Sequence, residues 1–316
     1  MLAYAIRRVG LSLLILIVVM TAMYGMVFLV PGDPASLALG PRATPELKEL
    51  LRQRMGLDQP ILTQIALFFG NVLQGDLGTD VWSKRPVLDQ ILEVFPKTLV
   101  LGVTALGWAL GLGVLLGCAA VVWRDTVIDR LLGVVSVSVI SVPSFVIAIY
   151  ALIVFAVWLN WLPAIGAGEA GDFASQARAL VLPAFALGLG WVGYVARLIR
   201  ASMLEVMEAP HIRTARAFGM RERDIVFRHA LRVAIVPTIS VLAVGFGGIM
   251  SSAVFVESVF SRPGIGTLIT AAVEKRNYPV VMGTVLFMTA FYLLVVTSAD
   301  LAIARLDPRV RDVLRR

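Results

Sequence analysis

The chain has little charge. Only 16% of its 316 residues are Asp, Glu, Lys or Arg, while 59% are hydrophobic. A soluble globular domain is about 45–50% apolar and about 25% charged. A water-soluble chain of this size has no way to hide so much apolar surface, whereas lipid solvates the outer faces of helices. Cysteine is nearly absent too. Cys118 is the single one, which excludes an intramolecular disulfide and a cysteine-based metal site and leaves it as a small buried hydrophobe. Histidine is confined to His211 and His229, so no apolar run offers an imidazole for zinc or for a Ser–His pair. Nor is there a Gly-x-x-x-x-Gly-Lys-Ser/Thr phosphate loop. The chain therefore does not bind ATP by that device.

What the sequence does have is long uncharged runs, at 9–30, 98–123, 131–163, 179–196, 233–256 and 278–299. A bilayer core about 30 Å thick needs about 20 helical residues. The runs predict an all-α integral membrane protein with six transmembrane helices. The third holds one span plus an interfacial tail through Trp158, Trp161 and Pro163. The fourth is the shortest and contains Pro183, Gly188 and Gly190. Arg7 and Arg8 followed by an apolar run are also the start of a signal peptide. This run, however, exceeds the 7–15 residues of such a segment and no small-x-small cleavage site follows, so a retained first span is expected.

Lys and Arg in short loops set orientation. They gather at Arg7 and Arg8, at Arg124 and Arg130, between Arg197 and Arg232, and in the tail from Arg305 to Arg316. The segment 164–178 has only Arg178, and 257–277 has Arg262, Lys275 and Arg276. Both termini are predicted to be cytoplasmic. The formal charge of +7 is then largely topological, and no nucleic-acid partner is needed to explain it. The chain divides into an N-terminal end with the first helix (1–30), a small external cap region (31–97) and a five-helix core (98–316) with a cytoplasmic loop at about 205–232. In the cap, Thr44-Pro45-Glu46 reads as N-cap, N1 proline and acidic first turn, Leu47, Leu50, Leu51 and Met55 form an apolar stripe, and Gly56 ends the helix.

The cytoplasmic loop is the most informative part. Pro210 breaks the helix leaving the fourth span, a short helix from about His211 to Phe218 follows, and Gly219 stops it. Small Ala215 and Ala217 allow close approach by another protein, and Arg213 and Arg216 offer it forked donors. The plainer alternative is an ordinary basic loop set by the positive-inside rule.

Arg213-Thr-Ala-Arg-Ala-Phe-Gly219 resembles the Glu-Ala-Ala-x-x-x-Gly loop of permease subunits of ABC importers, and more closely the Arg-Thr-Ala-Arg-Ala-x-Gly form of the peptide/nickel branch (oligopeptide/dipeptide permease B-like). Other stretches similar to that branch stand in order along the chain: Pro31-Gly-Asp-Pro34, Met55-Gly-Leu-Asp-Gln-Pro60, Gln74-Gly-Asp-Leu-Gly78, Glu257 to Gly266, Arg276-Asn-Tyr-Pro-Val280 and Leu306-Asp-Pro308. Departures are Pro210-His211 where Asp-Tyr is usual, Arg232 in place of a proline of the general loop, and Asn277 where Asp is usual. The resemblance implies a type I ABC importer permease fold in the plasma (cell inner) membrane. It implies a non-catalytic transport subunit whose Arg213, Thr214, Ala215, Arg216, Ala217, Phe218 and Gly219 form a coupling helix. It also implies a second homologous permease, two ATPase subunits holding ATP and Mg, and an external binding protein. The substrates it implies are di- or oligopeptides, with glutathione or nickel chelates as alternatives.

Ser138, Ser141, Ser144, Ser251 and Ser252 are candidate pathway residues, although small polar residues more often join helices. The glycines at 111, 113, 245 and 248 read as helix contacts. Glu257 and Asp300 lie near span ends and read as interfacial or paired. A secondary transporter would need ionisable relays inside the spans, and charges there are nearly absent. A membrane-embedded enzyme lacks its catalytic groups. A scaffold is the remaining rival.

Overall fold

In hydrocarbon every backbone N–H and C=O must be paired internally, and a helix does this within one segment. The computed structural model describes residues 2–29, 44–54 and 60–306. Helices follow in the order α1 (Leu2–Leu29), α2 (Pro45–Arg54), α3 (Ile61–Leu73), α4 (Val87–Val122), α5 (Val127–Ser141) and α6 (Ser144–Ala151), which continues as a π-helix over Leu152–Trp158. Then come α7 (Phe173–Met207), α8 (Pro210–Ala217), a helical turn at Glu222–Asp224 running through a π-helix (Ile225–Ala230) into α9 (Leu231–Val259), α10 (Ile265–Glu274) and α11 (Tyr278–Leu306). Five of these are long and apolar enough to cross a membrane, and the pair α5 and α6 makes a sixth crossing if counted as one span.

One expectation is corrected. The third run is not a single straight span. It breaks between Ser141 and Ser144 and turns by 98°. Pro143 has no N–H, and its ring pushes the residue before it out of helical space. Val142 is accordingly extended, with φ −92° and ψ 123°. The fourth run is the shortest of the six, yet the helix around it is long. α7 has 35 residues, passes through Pro183 and carries Arg178, Arg197 and Arg200. An uncharged run measures how much of a helix lies in hydrocarbon, not where the helix ends. For the same reason α4 starts at Val87, before Asp89, Glu93 and Lys97.

The chain divides into two compact units, one of Met1–Pro96 with Gly264–Arg316 and one of Lys97–Pro263. In the first, α1 and α10 pack on α11 around Met20, Val87, Ile91, Ile265 and Val280. Phe95 meets Phe287 and Phe291 edge to face, 5.1 and 4.8 Å apart. Arg8 pairs with Asp300, which places that acid in an ion pair. The Thr44 hydroxyl accepts from the Leu47 N–H, as an N-cap does, while Leu47 and Leu50 are exposed. Met55 and Gly56 lie outside the described residues, as do Pro31–Pro34 and residues 307–316.

Two of the sequence motifs meet in this unit. Asp76 accepts from the Gly78 N–H at 2.8 Å, tightening Gln74–Gly78, in which Gly75 and Gly78 have φ of +82° and +93°. The next loop closes on Asn277. Its amide donates to Asp80 Oδ1 at 2.7 Å, and the same oxygen accepts from the N–H groups of Trp82 and Ser83. Burial pushes the Asp80 carboxyl up, but the Ser83, Trp82 and Asn277 hydrogen bonds outweigh it and hold the group below its ordinary value.

In the second unit α7 is central and touches α5, α6, α8 and α9. Its approach to α4 is set by glycine. A Cβ at Gly113 would fall 2.6 Å from Val195 Cβ, and one at Gly117 would fall 2.8 Å from the Ala196 carbonyl oxygen. One at Gly245 would strike the Trp191 ring, whereas Gly111 has open space around it. Glu257 is fully buried and accepts from the Thr98 hydroxyl at 2.6 Å, with buried Arg262 exerting an attraction on it.

Gly113→Val is expected to cost about 1–3 kcal/mol, the usual penalty of overpacking. It should lower the thermal midpoint of the detergent-solubilised protein, while Gly111→Val leaves the midpoint unchanged. A depressed carboxyl supplies stability above its ordinary pKa and loses it as pH falls through the lowered value. Proteolysis of the 79–86 loop should thus be flat between about pH 5 and 8 and rise only in stronger acid. Asp80→Asn should be cut faster across the flat range and show no acid-dependent rise.

Candidate functional site

α7 ends at Met207, and Pro210 occupies the first turn of α8, where its missing N–H costs nothing. Phe218 is the C-cap and Gly219 follows with φ +74°. No atom lies within 4 Å of a Cβ built at Gly219, so the left-handed backbone, not space, calls for glycine there.

α8 is amphipathic and its inner face is anchored. Ile212 is fully buried and Ala215 nearly so, packed with Cys118, Ile199, Met203, Ile225 and Ala230. Ala215 therefore faces the chain's own core. The expectation that it stays open to a partner is revised: at helical spacing from Ile212 it lands on the buried stripe. Ala217 is exposed, as are Arg213, Thr214 and Arg216, and Phe218 is 84% exposed. The Thr214 hydroxyl donates to the Pro210 carbonyl at 3.1 Å.

Arg216 folds back across the Gly219 turn. Its Nε donates to Glu222 Oε2 at 3.2 Å and its Nη2 to Glu222 Oε1 at 2.6 Å. These bonds hold the Glu222 carboxyl below its ordinary value against the opposing effect of burial, and they raise Arg216 in turn. The pair is about half exposed, so it fixes geometry more than it adds stability. Sequence reading missed Glu222 because its partner stands six residues back, on the far side of a turn.

A second ion pair lies behind α8. Arg200 on α7 donates from Nε and Nη2 to both oxygens of Asp129 on α5, each at 2.7 Å. Asp129 Oδ2 also accepts from the Asp125 N–H at 3.2 Å. Neither residue stood out in the sequence, where each is one charge among the basic loops.

Among the serines, Ser138 and Ser141 are exposed and donate to the carbonyls of Val134 and Val137 in their own helix. Ser144 and Ser252 are half-buried and Ser251 is exposed. Ser144 and Ser252 sit on helices that meet through the Phe145 and Phe255 rings, 6.1 Å apart.

A tryptophan at each alanine of α8 separates its two faces. Ala215→Trp should cost about 1–3 kcal/mol and lower the thermal midpoint, whereas Ala217→Trp should leave it in place. Equal losses would contradict this assignment of faces.

Residues 109–312 match the family described as binding-protein-dependent transport system inner membrane component. Residues 1–102 match its companion, binding-prot-dependent transport system membrane comp, N-term. The chain is also similar to the glutathione transport system permease protein GsiC of Escherichia coli (strain K12), of Shigella flexneri serotype 5b and of Pectobacterium atrosepticum. Each is 37% identical over 311 residues, covering 98% of this chain and 99% of the relative. With its helical membrane core, its short basic helix between two long spans and likeness along nearly its full length all in agreement, this chain belongs to the family of binding-protein-dependent transport system inner membrane components, the permease subunits of ABC importers.

Proposed function

We propose that this permease serves an ATP-driven importer of short peptides, with glutathione, the substrate in the name of its relatives, inside that class. It forms half of the translocation pathway beside a second homologous permease. Two separate ATPase subunits hold ATP and Mg, and an external binding protein delivers the substrate. Both termini lie in the cytoplasm, on the side where arginine is dense.

The observation that carries this reading is the outer face of α8. Arg213, Thr214, Ala217 and Phe218 are exposed on a helix whose other face is locked into the chain. A lever must be held on one side and free on the other. A large exposed aromatic beside arginine is the composition of an interface anchor. The spans hold few charges, which suits a pathway that leaves specificity to the binding protein. For the helix to transmit anything, the ATPase must contact it differently in its nucleotide states.

Ala217→Cys should cross-link to the ATPase in the assembled complex. Gly219→Pro and Arg216→Glu should each cut binding-protein-stimulated ATPase activity about tenfold, within the range of ordinary coupling energies, with assembly intact. Full stimulation in both variants would refute the assignment.

A further inference from the structure

α5 and α7 touch in a single antiparallel register. Asp129 meets Arg200. Seven residues on along α5 and seven back along α7, a Cβ at Gly193 would fall 2.5 Å from the Ser136 carbonyl oxygen. Three residues further on each helix, the Cβ position of Gly190 is 3.8 Å from the Val139 carbonyl oxygen. The three points span about 15 Å of helix at 1.5 Å per residue. At one end two charge-assisted bonds form a fork, a geometry that resists rotation and sliding. At the other, glycine lets the α7 backbone lie against the α5 backbone, with Ile140 Cγ1 3.2 Å from the same Cβ position at Gly193.

The ends of this ribbon matter. Ile199 and Met203 of α7 pack on Ile212 of α8, so one face of α7 carries α8 while Arg200, next to Ile199, carries α5. The far end of the contact, at Val139, stops three residues before extended Val142 and the 98° bend into α6. The Asp129 carboxylate also holds the Asp125 N–H in the turn after α4, so one group ties together the cytoplasmic ends of three helices.

We infer that α5 and the cytoplasmic half of α7 are a locked strut that carries displacement of α8 to a hinge at Val142–Pro143, with Asp129 and Arg200 as its positioning residues. The inference rests on the assignment of α8 as the ATPase-docking helix. Asp129 and Arg200 act by keeping α5 in step with α7. The motion is then delivered past the hinge to α6, which begins at Ser144.

The test uses the full complex in proteoliposomes, in a Cys118→Ala background, comparing nucleotide-free with MgATP–vanadate-trapped states. Spin labels at Leu131 and Ala201, both exposed, report the strut. Labels at Val135 and Ile149, also exposed, report the hinge. The strut distance should stay constant between states while the hinge distance shifts. Asp129→Ala and Arg200→Ala should abolish the hinge shift while ATPase turnover continues, and the exchange Asp129→Arg with Arg200→Asp should restore at least part of it. A merely structural pair would lower yield in the variants without separating turnover from the hinge shift. A strut distance that changes with nucleotide, or single variants that keep the full hinge shift, overturns the inference. The wild-type distances decide it even where the variants do not assemble. Because Ala217→Cys cross-linking is read separately, a moving strut with α8 still on the ATPase overturns the strut alone, whereas loss of that cross-link overturns both.

Discussion

An eight-residue helix does not persist in water by itself, because nucleation costs more than so few hydrogen bonds return. α8 exists because Ile212 and Ala215 are buried against α4, α7 and the π-helical start of α9. That burial decides which way the remaining side chains point. Arg213, Ala217 and Phe218 face outward only because two apolar residues at helical spacing face inward. Pro210 and Gly219 set where the helix starts and stops, but the buried pair sets its orientation, and the functional reading depends on that orientation.

The rest of the chain deals with polar groups where water is scarce. The hydroxyls of Ser138, Ser141, Ser258 and Thr284 return to carbonyls four residues earlier in their own helices. That satisfies each of them within its own helix. Acids are treated differently. Asp129 is forked by Arg200, Asp300 is paired with Arg8, and Glu257 takes the Thr98 hydroxyl. A buried carboxylate without such a partner would be costly. These pairings let a chain with so few charges place several of them at the ends of apolar helices.

Much of the fold was legible in the sequence because apolar runs of bilayer length have few other uses. Pro210, Gly219 and the helix between them were legible for a related reason: proline and glycine act through backbone sterics, which are local. The bend at Val142–Pro143 was readable on the same grounds, yet it was masked by the length of the uncharged run around it. Helix ends were misplaced where charged residues continue a helix past the hydrocarbon, as at Arg200 in α7. Of the candidate site, the outward residues of α8 were identified but the inward turn of Ala215 was not, since it depends on what packs beneath it. The pairs Arg216–Glu222 and Asp129–Arg200 depend on a turn and on tertiary register, neither of which leaves a periodic trace.

The Asn277 amide against Asp80 has a consequence for the conditions under which this loop stays closed. An aspartate at 277 would bring two carboxyl groups to the 2.7 Å now spanned by an amide and an acid, and one of them would have to retain a proton. The fastening of that loop would then follow the acidity of the medium, loosening as the shared proton was lost. An amide donates its hydrogen at any pH. By that one nitrogen, this permease keeps the 79–86 loop fastened in neutral and alkaline surroundings where an acid pair would come apart.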